Sequence, residues 1–420
     1  MPTKKKTTTT KAEIKKADNK KAETIKEIYA SGEEIVLPTK TLNWLAVVIV
    51  ALVAGAAAGW FGGWWQAQIN GLVINNEVKD NNVSSIIDLA NNQNDKLKKS
   101  FDQVTLDNLA TQTVGIYLAP AGGSPLQEIY KESNLVGQAL VITSDGWLLT
   151  NDSVLTNDPD KYLIITSSRA GYGIDQVVRD AFSHLVFIKI DADKLNPIAI
   201  SRADNIEYND DLISMRQNVR YNQPDINYIR LTNKHFVAWQ EAADFLHTTD
   251  INDVYLKLNQ VLAANNDGSM LATQAGEVIG MLYQGDDAGI IRAVPGFYLQ
   301  LAVSNFLSDQ TRVNHNSLGV SYIDLAETVG LPQSMHQGYN RGSLLFGTDG
   351  QPAVEKDSVA DKAKLVAGDI IIAVNDQELN AATGLTRLLQ EYPLGATVTL
   401  TVVHEDNSTE DIIVTLTAQE

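Results

Sequence analysis

Hydrophobic and polar positions divide the chain into stretches of different period. Residues 1–41 are polar and lysine-rich, with a Thr7–Thr10 run and no sustained apolar period, which predicts a disordered leader. From Leu42 to about Trp65 no charged residue occurs, and the core Leu45–Val53 is strongly apolar. About twenty such residues span the hydrocarbon core of a bilayer as a helix, so residues 42–65 are read as one transmembrane helix. Residues 66–103 mix Asn, Asp and Lys with intermittent Ile, Leu and Val, predicting a polar stalk that is partly helical from Val83 to Phe101. From about Val104 the pattern turns to short β-rich runs separated by Gly, Asn and Asp: Gly115–Leu118, Ala139–Ile142, Tyr162–Ile165, Leu185–Ile188 and Val278–Leu282. Many short strands with turn residues between them predict a mainly β protein of antiparallel sandwiches or barrels. Near the C-terminus Leu385, Leu388 and Leu389 recur at helical spacing, predicting a helix over Gly384–Tyr392.

Composition sharpens the N-terminal reading. The net charge is −18, yet residues 1–41 hold ten lysines against six acidic residues. Lysines before the apolar stretch place that end in the cytoplasm and the acidic bulk outside. Trp44, Trp60, Trp64 and Trp65 flank the stretch as interfacial aromatics do. The expected location is therefore the bacterial cytoplasmic (inner) membrane, single-pass, with extracytoplasmic C-terminal domains. A cleaved signal peptide competes with this, because Ala54–Ala58 has the small-residue form of a cleavage site. Gly55, Gly59 and Gly63 share one helical face, which suits helix–helix contact in lipid and equally suits an ordinary membrane helix. An acidic chain lacks the clustered cations that phosphate contacts need, so nucleic acid is excluded as a partner. With no cysteine, neither disulfides nor thiolate metal sites exist.

Three segments carry a resemblance. Gly137–Val154 reads G-Q-A-L-V-I…S-D-G-W-L-L-T-N-D-S-V, Asp180–Ile190 reads D-A-F-S-H-L-V-F-I-K-I, and Asn265–Leu271 reads N-N-D-G-S-M-L, with Gly276–Gly280 following as G-E-V-I-G. They resemble the catalytic segments of HtrA-family (DegP/DegS-like) trypsin-fold serine proteases, in which G-x-I-L-T-N-x-H-V, D-P-x-T-D-L-A-V-L-K-I and G-N-S-G-G-P-L occur. Ser153 stands at the histidine position, His184 at the aspartate and Asp267 at the nucleophilic serine. The resemblance implies a trypsin-like double six-stranded antiparallel β-barrel over roughly 104–308, and it implies trimers as an oligomeric state.

The substitutions bear on chemistry. Peptide hydrolysis by this route needs a hydroxyl bonded to an imidazole that a buried carboxylate orients. A serine hydroxyl at the central position cannot act as a base near neutral pH, and none of the six histidines lies between Gly115 and Ser183. No catalytic residue is therefore expected at Ser153, His184 or Asp267. A rewired triad would use Ser153 as nucleophile, His184 as base and Asp267 as orienter, with Asp267 then beside the nucleophile; Ser269 is a second candidate nucleophile. The turn Ala263–Asp267 departs from the Gly-Asn-Ser turn that aims N–H groups at an oxyanion. Residues 216–253 diverge furthest, so a specificity pocket is not legible.

Residues 309–420 resemble an HtrA-type PDZ domain (α+β). Ser317-Leu318-Gly319-Val320 matches the carboxylate loop Y-L-G-V, Ser358–Ile371 matches S-P-A-x-K-A-G-L-x-x-G-D-x-I, and Ala373–Asp376 follows as A-V-N-G would. The departures are Ser317 for an aromatic residue and Lys364 for a glycine. A PDZ domain binds an extended C-terminus by adding it as a strand to a sheet edge. The resemblance assigns the loop to Leu318, Gly319 and Val320, and the pairing strand to Val320, Ser321, Tyr322 and Ile323. Leu385, Leu388 and Leu389 would wall the groove, though their spacing is equally that of a core face.

No cofactor is expected, since no phosphate loop, zinc spacing or calcium loop occurs. Asp267 with Asp286 and Asp287 follows no metal-ligand spacing, and His235 and His247 are read as surface residues. The favoured function is a membrane-anchored HtrA-like protein that no longer cuts. It would bind extended or unfolded polypeptides and protein C-termini as a scaffold, holdase or regulator. An active envelope serine endopeptidase with a rearranged triad is the alternative, and a structural envelope protein with a dead PDZ groove is a third reading.

Overall fold

The computed structural model describes residues 101–418, apart from 121–126, 157, 203–205, 219–222, 238–244 and 286–288. The apolar stretch 42–65 and all but the last residue of the expected stalk helix lie outside these. Among the described residues no helix is long and apolar enough to cross a membrane.

The β region does not begin at Val104. A helix, α1 (Gln103–Thr111), comes first and buries Leu106 and Leu109, three residues apart on one face. Seven strands follow: β1 (Thr113–Leu118), β2 (Leu135–Val141), β3 (Trp147–Asn151), β4 (Tyr162–Ile165), β5 (Gly171–Tyr172), β6 (Gln176–Asp180) and β7 (Leu185–Lys189). Their order is β5-β4-β1-β2-β3-β7-β6, with no closing pair between β5 and β6 among the described residues. This corrects the expected first six-stranded barrel: the short β5 adds a seventh strand and the sheet is open.

The second unit is a closed six-stranded barrel, β11-β14-β13-β12-β8-β9. Its strands are β8 (Asp211–Arg216), β9 (Asp225–Phe236), β11 (Tyr255–Leu262), β12 (Met270–Ala272), β13 (Val278–Leu282) and β14 (Ile290–Pro295). Between β9 and β11 the chain leaves the barrel as β10 (His247–Thr248) and pairs elsewhere. Helix α2 (Gly296–Asp309) closes the region and ends at Gln310, which has φ 59°.

Uniformly apolar strands have a direct explanation here. Successive side chains point to opposite faces, and both faces are buried. Leu185 and Phe187 enter the core shared with the second barrel and α2, while Val186 and Ile188 enter the core of the first sheet. Strand 278–282 is also buried on both sides, with Val278 and Met281 in the shared core and Ile279 and Leu282 in the core of the closed barrel, a split set by the register shift at Val278 and not by strict alternation. Phe306 of α2 stacks on Phe187 at 4.0 Å between centroids and meets Trp147 edge-on at 4.7 Å, which holds α2 against the first sheet.

After α2 the chain forms β15 (Asn316–Ser317), β16 (Ser321–Asp324), the short helix α3 (Gln333–His336), β17 (Ser343–Leu345), α4 (Val359–Lys362), β18 (Ile370–Val374), β19 (Gln377–Glu378), α5 (Leu385–Leu389), β20 (Thr397–Val403), β21 (Thr409–Thr415) and β22 (Thr417–Ala418). Helix α5 is shorter than the expected Gly384–Tyr392: Gly384 is its N-cap and Gln390 ends it. Its sheet runs β10-β16-β17-β18-β20-β21, with β19 on β18. Leu318, Val320, Leu385, Leu388 and Leu389 are at most 1% exposed and share one core with β18 and β20. The three leucines are thus core residues of this domain. Ser317, which stands in place of an aromatic residue, pairs with Thr417 in the β15–β22 ladder.

Candidate functional site

The three segments singled out in the sequence converge where β3 and the loop after it meet the turn before β12. Asp267 is 2% exposed and lies beside Ser153, whose Oγ is 2.6 Å from Asp267 Oδ2 and 2.9 Å from Asn151 Oδ1. Asn151, at the end of β3, donates its amide to Asp267 Oδ1 (2.8 Å) and to the Leu282 carbonyl (2.9 Å). The backbone N–H groups of Gly268 and Gln284 also donate to Asp267 Oδ1, at 3.0 and 3.2 Å. Gly268 permits this turn: its φ is +74°, and a Cβ there would lie 2.1 Å from the Gln138 carbonyl oxygen.

The proton arithmetic of this cluster is informative. A hydroxyl has one proton, and Ser153 Oγ faces two oxygens. Burial pushes the Asp267 carboxyl up to about 6, against the opposing hydrogen bonds from Ser153 and Asn151. With Asp267 protonated, Oδ2 donates to Ser153 and Ser153 donates to Asn151, so every group is satisfied. With Asp267 ionised, Ser153 donates to the carboxylate, and Asn151 Oδ1 keeps only the Val154 N–H at 3.2 Å.

His184 takes no part in the cluster. Its Nδ1 is 3.0 Å from Asp152 Oδ2, so Nδ1 carries the proton that the carboxylate accepts. Its ring stacks on Tyr283 at 5.3 Å, and its backbone is left-handed at φ 60°. Burial pushes the Tyr283 hydroxyl up, so it stays protonated at neutral pH. The amide that would face an oxyanion is also engaged, since the Asp267 N–H donates to the Ala264 carbonyl at 2.9 Å in a 3-10 turn over Ala264–Asn266. Ser269 is fully buried, and among the described residues its Oγ has no hydrogen-bond partner. Sequence reasoning missed Asn151, Asp152 and Tyr283; the first two flank or adjoin Ser153 and were open to inspection, whereas Tyr283 carried no signal.

The expected PDZ-type groove is bounded by β16 and α5, which the Tyr322–Thr386 hydroxyl contact at 2.8 Å brings together. Gly319 has φ +72° and a Cβ there would lie 2.4 Å from the Ser358 Cβ, so the loop needs glycine. Strand β10 pairs antiparallel with β16, His247 opposite Tyr322 and Thr248 opposite Ser321. The Gly319 and Val320 N–H groups both face Thr249 Oγ1, at 3.2 and 3.4 Å. Ile323 is buried, beyond the paired positions. His247, expected on the surface, is 6% exposed; it stacks on Tyr322 and its Nδ1 lies 2.5 Å from Asp253 Oδ2. Burial alone would lower His247, but Asp253, Glu327 and Asp324 together leave it raised. His235 is partly buried and pairs with Glu327 at 2.6 Å. Among the described residues no group of three or more His, Asp or Glu side chains is placed to hold a metal; Asp286 and Asp287 lie outside them.

Residues 352–403 match the family described as PDZ domain. The solved structure of the "HtrA-type protease AlgW with decapeptide" superposes with a TM-score of 0.55 over 75% of this chain and 98% of that one, at 17% identity. In fold the chain is similar to HtrA-type proteases. A "probable periplasmic serine endoprotease DegP-like" of Pseudomonas fluorescens is 24% identical over 295 residues, covering 68% of this chain and 57% of the relative. A protein of the same description in Chlamydia trachomatis is 26% identical over 286 residues, covering 67% and 54%. The HtrA-like chain thus spans a little over half the length of the curated relatives it matches, with a trypsin-type protease fold followed by a PDZ domain.

Proposed function

We propose that this HtrA-like protein is a single-pass membrane protein whose protease-fold domain does not cut. Its PDZ domain would bind extended polypeptides or C-termini of extracytoplasmic proteins as a scaffold, holdase or regulator. The observation that carries the reading is the direct Ser153–Asp267 contact at 2.6 Å. A proton-accepting imidazole belongs between hydroxyl and carboxylate in a working triad, and here the two touch. His184 is bonded to Asp152 instead, and the Asp267 N–H is held by Ala264. The periplasmic relatives support extracytoplasmic C-terminal domains, and residues 42–65 support an anchor. Trimers, expected from the resemblance, belong to the same proposal.

The alternative of a rearranged triad draws on the proximity of Ser153 to a carboxylate near pKa 6. Casein digestion by the full chain, by Ser153→Ala and by Ser269→Ala separates the two. No cleavage by any of them, at enzyme excess over hours, is the expected result. Cleavage lost in one serine variant alone would identify a nucleophile and overturn the proposal.

A further inference from the structure

Segment 245–250 occupies the place in the PDZ groove that a bound peptide would take. The antiparallel pairing of β10 with β16 is the geometry of strand addition. The Thr249 N–H donates to the Val320 carbonyl at 3.1 Å, continuing the ladder to the mouth of the carboxylate loop. There the loop N–H groups of Gly319 and Val320 point at the Thr249 hydroxyl, which stands in for a carboxylate oxygen. The far wall joins in. Thr386 of α5 donates its hydroxyl to the Thr248 carbonyl at 3.0 Å, and therefore accepts the Tyr322 hydroxyl proton at 2.8 Å. Thr249 is fully buried. We propose that the PDZ groove is closed in cis by segment 245–250, with Thr249 as a pseudo-terminus that an incoming peptide carboxylate displaces.

Several features make the internal occupant a replaceable one. A neutral hydroxyl accepts less strongly than a carboxylate, because charge-assisted hydrogen bonds are about twice as strong. Asp250, which follows immediately, has a buried Oδ1 with no hydrogen-bond partner among the described residues. Such an oxygen is costly to hold away from water. The chain continues past Thr249 and cannot place a true C-terminal carboxylate in the loop. In its favour the segment is tethered: β9 ends at Phe236, β11 begins at Tyr255, and the Asn252 N–H donates to the Phe182 carbonyl at 2.7 Å. Tethering makes the pairing intramolecular, with an effective concentration set by the lengths of chain on either side. A free peptide must compete with that, so its apparent affinity falls by the fraction of grooves that are open.

The inference rests on the reading of this groove as a peptide site, and the experiment separates the two. The probe is a fluorescein-labelled decapeptide of residues 240–249, ending in the free carboxylate of Thr249, with its C-terminal amide as control. Binding by anisotropy is compared for the full chain, Thr249→Val, which removes the hydroxyl at nearly equal volume, and Thr249→Pro, which also removes the N–H. The acid peptide is expected to bind the parent weakly, Thr249→Val at least five-fold more tightly and Thr249→Pro at least ten-fold more tightly, with the amide weaker throughout. Hydrogen exchange at residues 245–250 of the parent should quicken on saturation with the acid peptide. Equal affinity for all three proteins would overturn cis closure while leaving the peptide-site reading standing. No binding by any of the three, all with cooperative melting, would overturn both and make the pairing a permanent strut.

Discussion

Asp267, which the resemblance puts at the nucleophile position, is a buried carboxylate, and that burial has a thermodynamic consequence. Its folded-state pKa is raised from 3.8 to about 6, with burial the main cause. The folded protein therefore holds this proton more tightly than the unfolded chain does. That contribution to stability is full below pH 3.8 and is lost as the pH rises through about 6; the loss is about 3 kcal/mol. Asparagine can accept from Asn151, Gly268 and Gln284 and donate to Ser153 without a charge. Asp267→Asn is therefore expected to exceed the parent in stability by about 1–3 kcal/mol at pH 7.5 and to match it near pH 4. Urea denaturation at the two pH values tests this, and a gain independent of pH would reject the assigned titration. Two other residues show backbone outlasting side chain. Lys364 and Asp376 stand where the PDZ motif has glycine, and both keep left-handed backbone, each with φ 63°. Lys364 stands out as a departure in the sequence reading, which passes over Asp376; that both turns persist is visible only in the backbone.

Among the elements, the passage from α2 into the PDZ domain is fastened by a buried pair. His315 Nε2 lies 2.9 Å from both oxygens of Asp180, and the two side chains are 2% and 1% exposed. Asp180 also accepts from the Phe182 N–H at 3.1 Å and from the Ser183 hydroxyl, and His315 stacks on Phe182 at 4.3 Å. Removing one partner of a buried pair leaves an uncompensated charge and costs about 3–5 kcal/mol. His315→Ala is expected to lose stability on that scale and to speed proteolytic cutting within residues 310–316. The double variant His315→Ala/Asp180→Ala should lose less than the sum of the single losses. Strict additivity in thermal melts would show that the pair does not act as a unit. The strands themselves were legible, since Tyr162–Ile165 and Val278–Leu282 coincide with β4 and β13. Helix α1 was not, because Gln103–Thr111 has few apolar positions and no side-chain cap.

For the whole molecule the uneven charge and the apolar stretch lead to a membrane prediction. Full-length protein is expected to stay in the membrane fraction through a high-salt wash, and a chain lacking residues 1–65 to appear in the soluble fraction. Release of the full chain by salt would remove the anchor proposal. A mature N-terminus near Ala58, read by mass spectrometry, would establish the cleaved-leader reading instead. The chain's own order determined a good deal: a run of short strands, a PDZ-type loop and core, and the exchange of residue types at Ser153, His184 and Asp267. Those features are local, since strand period, turn glycine and side-chain chemistry are written within a few neighbouring residues. The partnerships were not local. Ser153 meets Asp267 across 114 positions, His315 meets Asp180 across 135, and Thr249 reaches Gly319 across 70. Packing the first sheet against the closed barrel, and bringing the PDZ domain against both, decided those pairs, because a hydrogen bond depends on where two backbones are brought in space and neither end carries a sequence mark of the other.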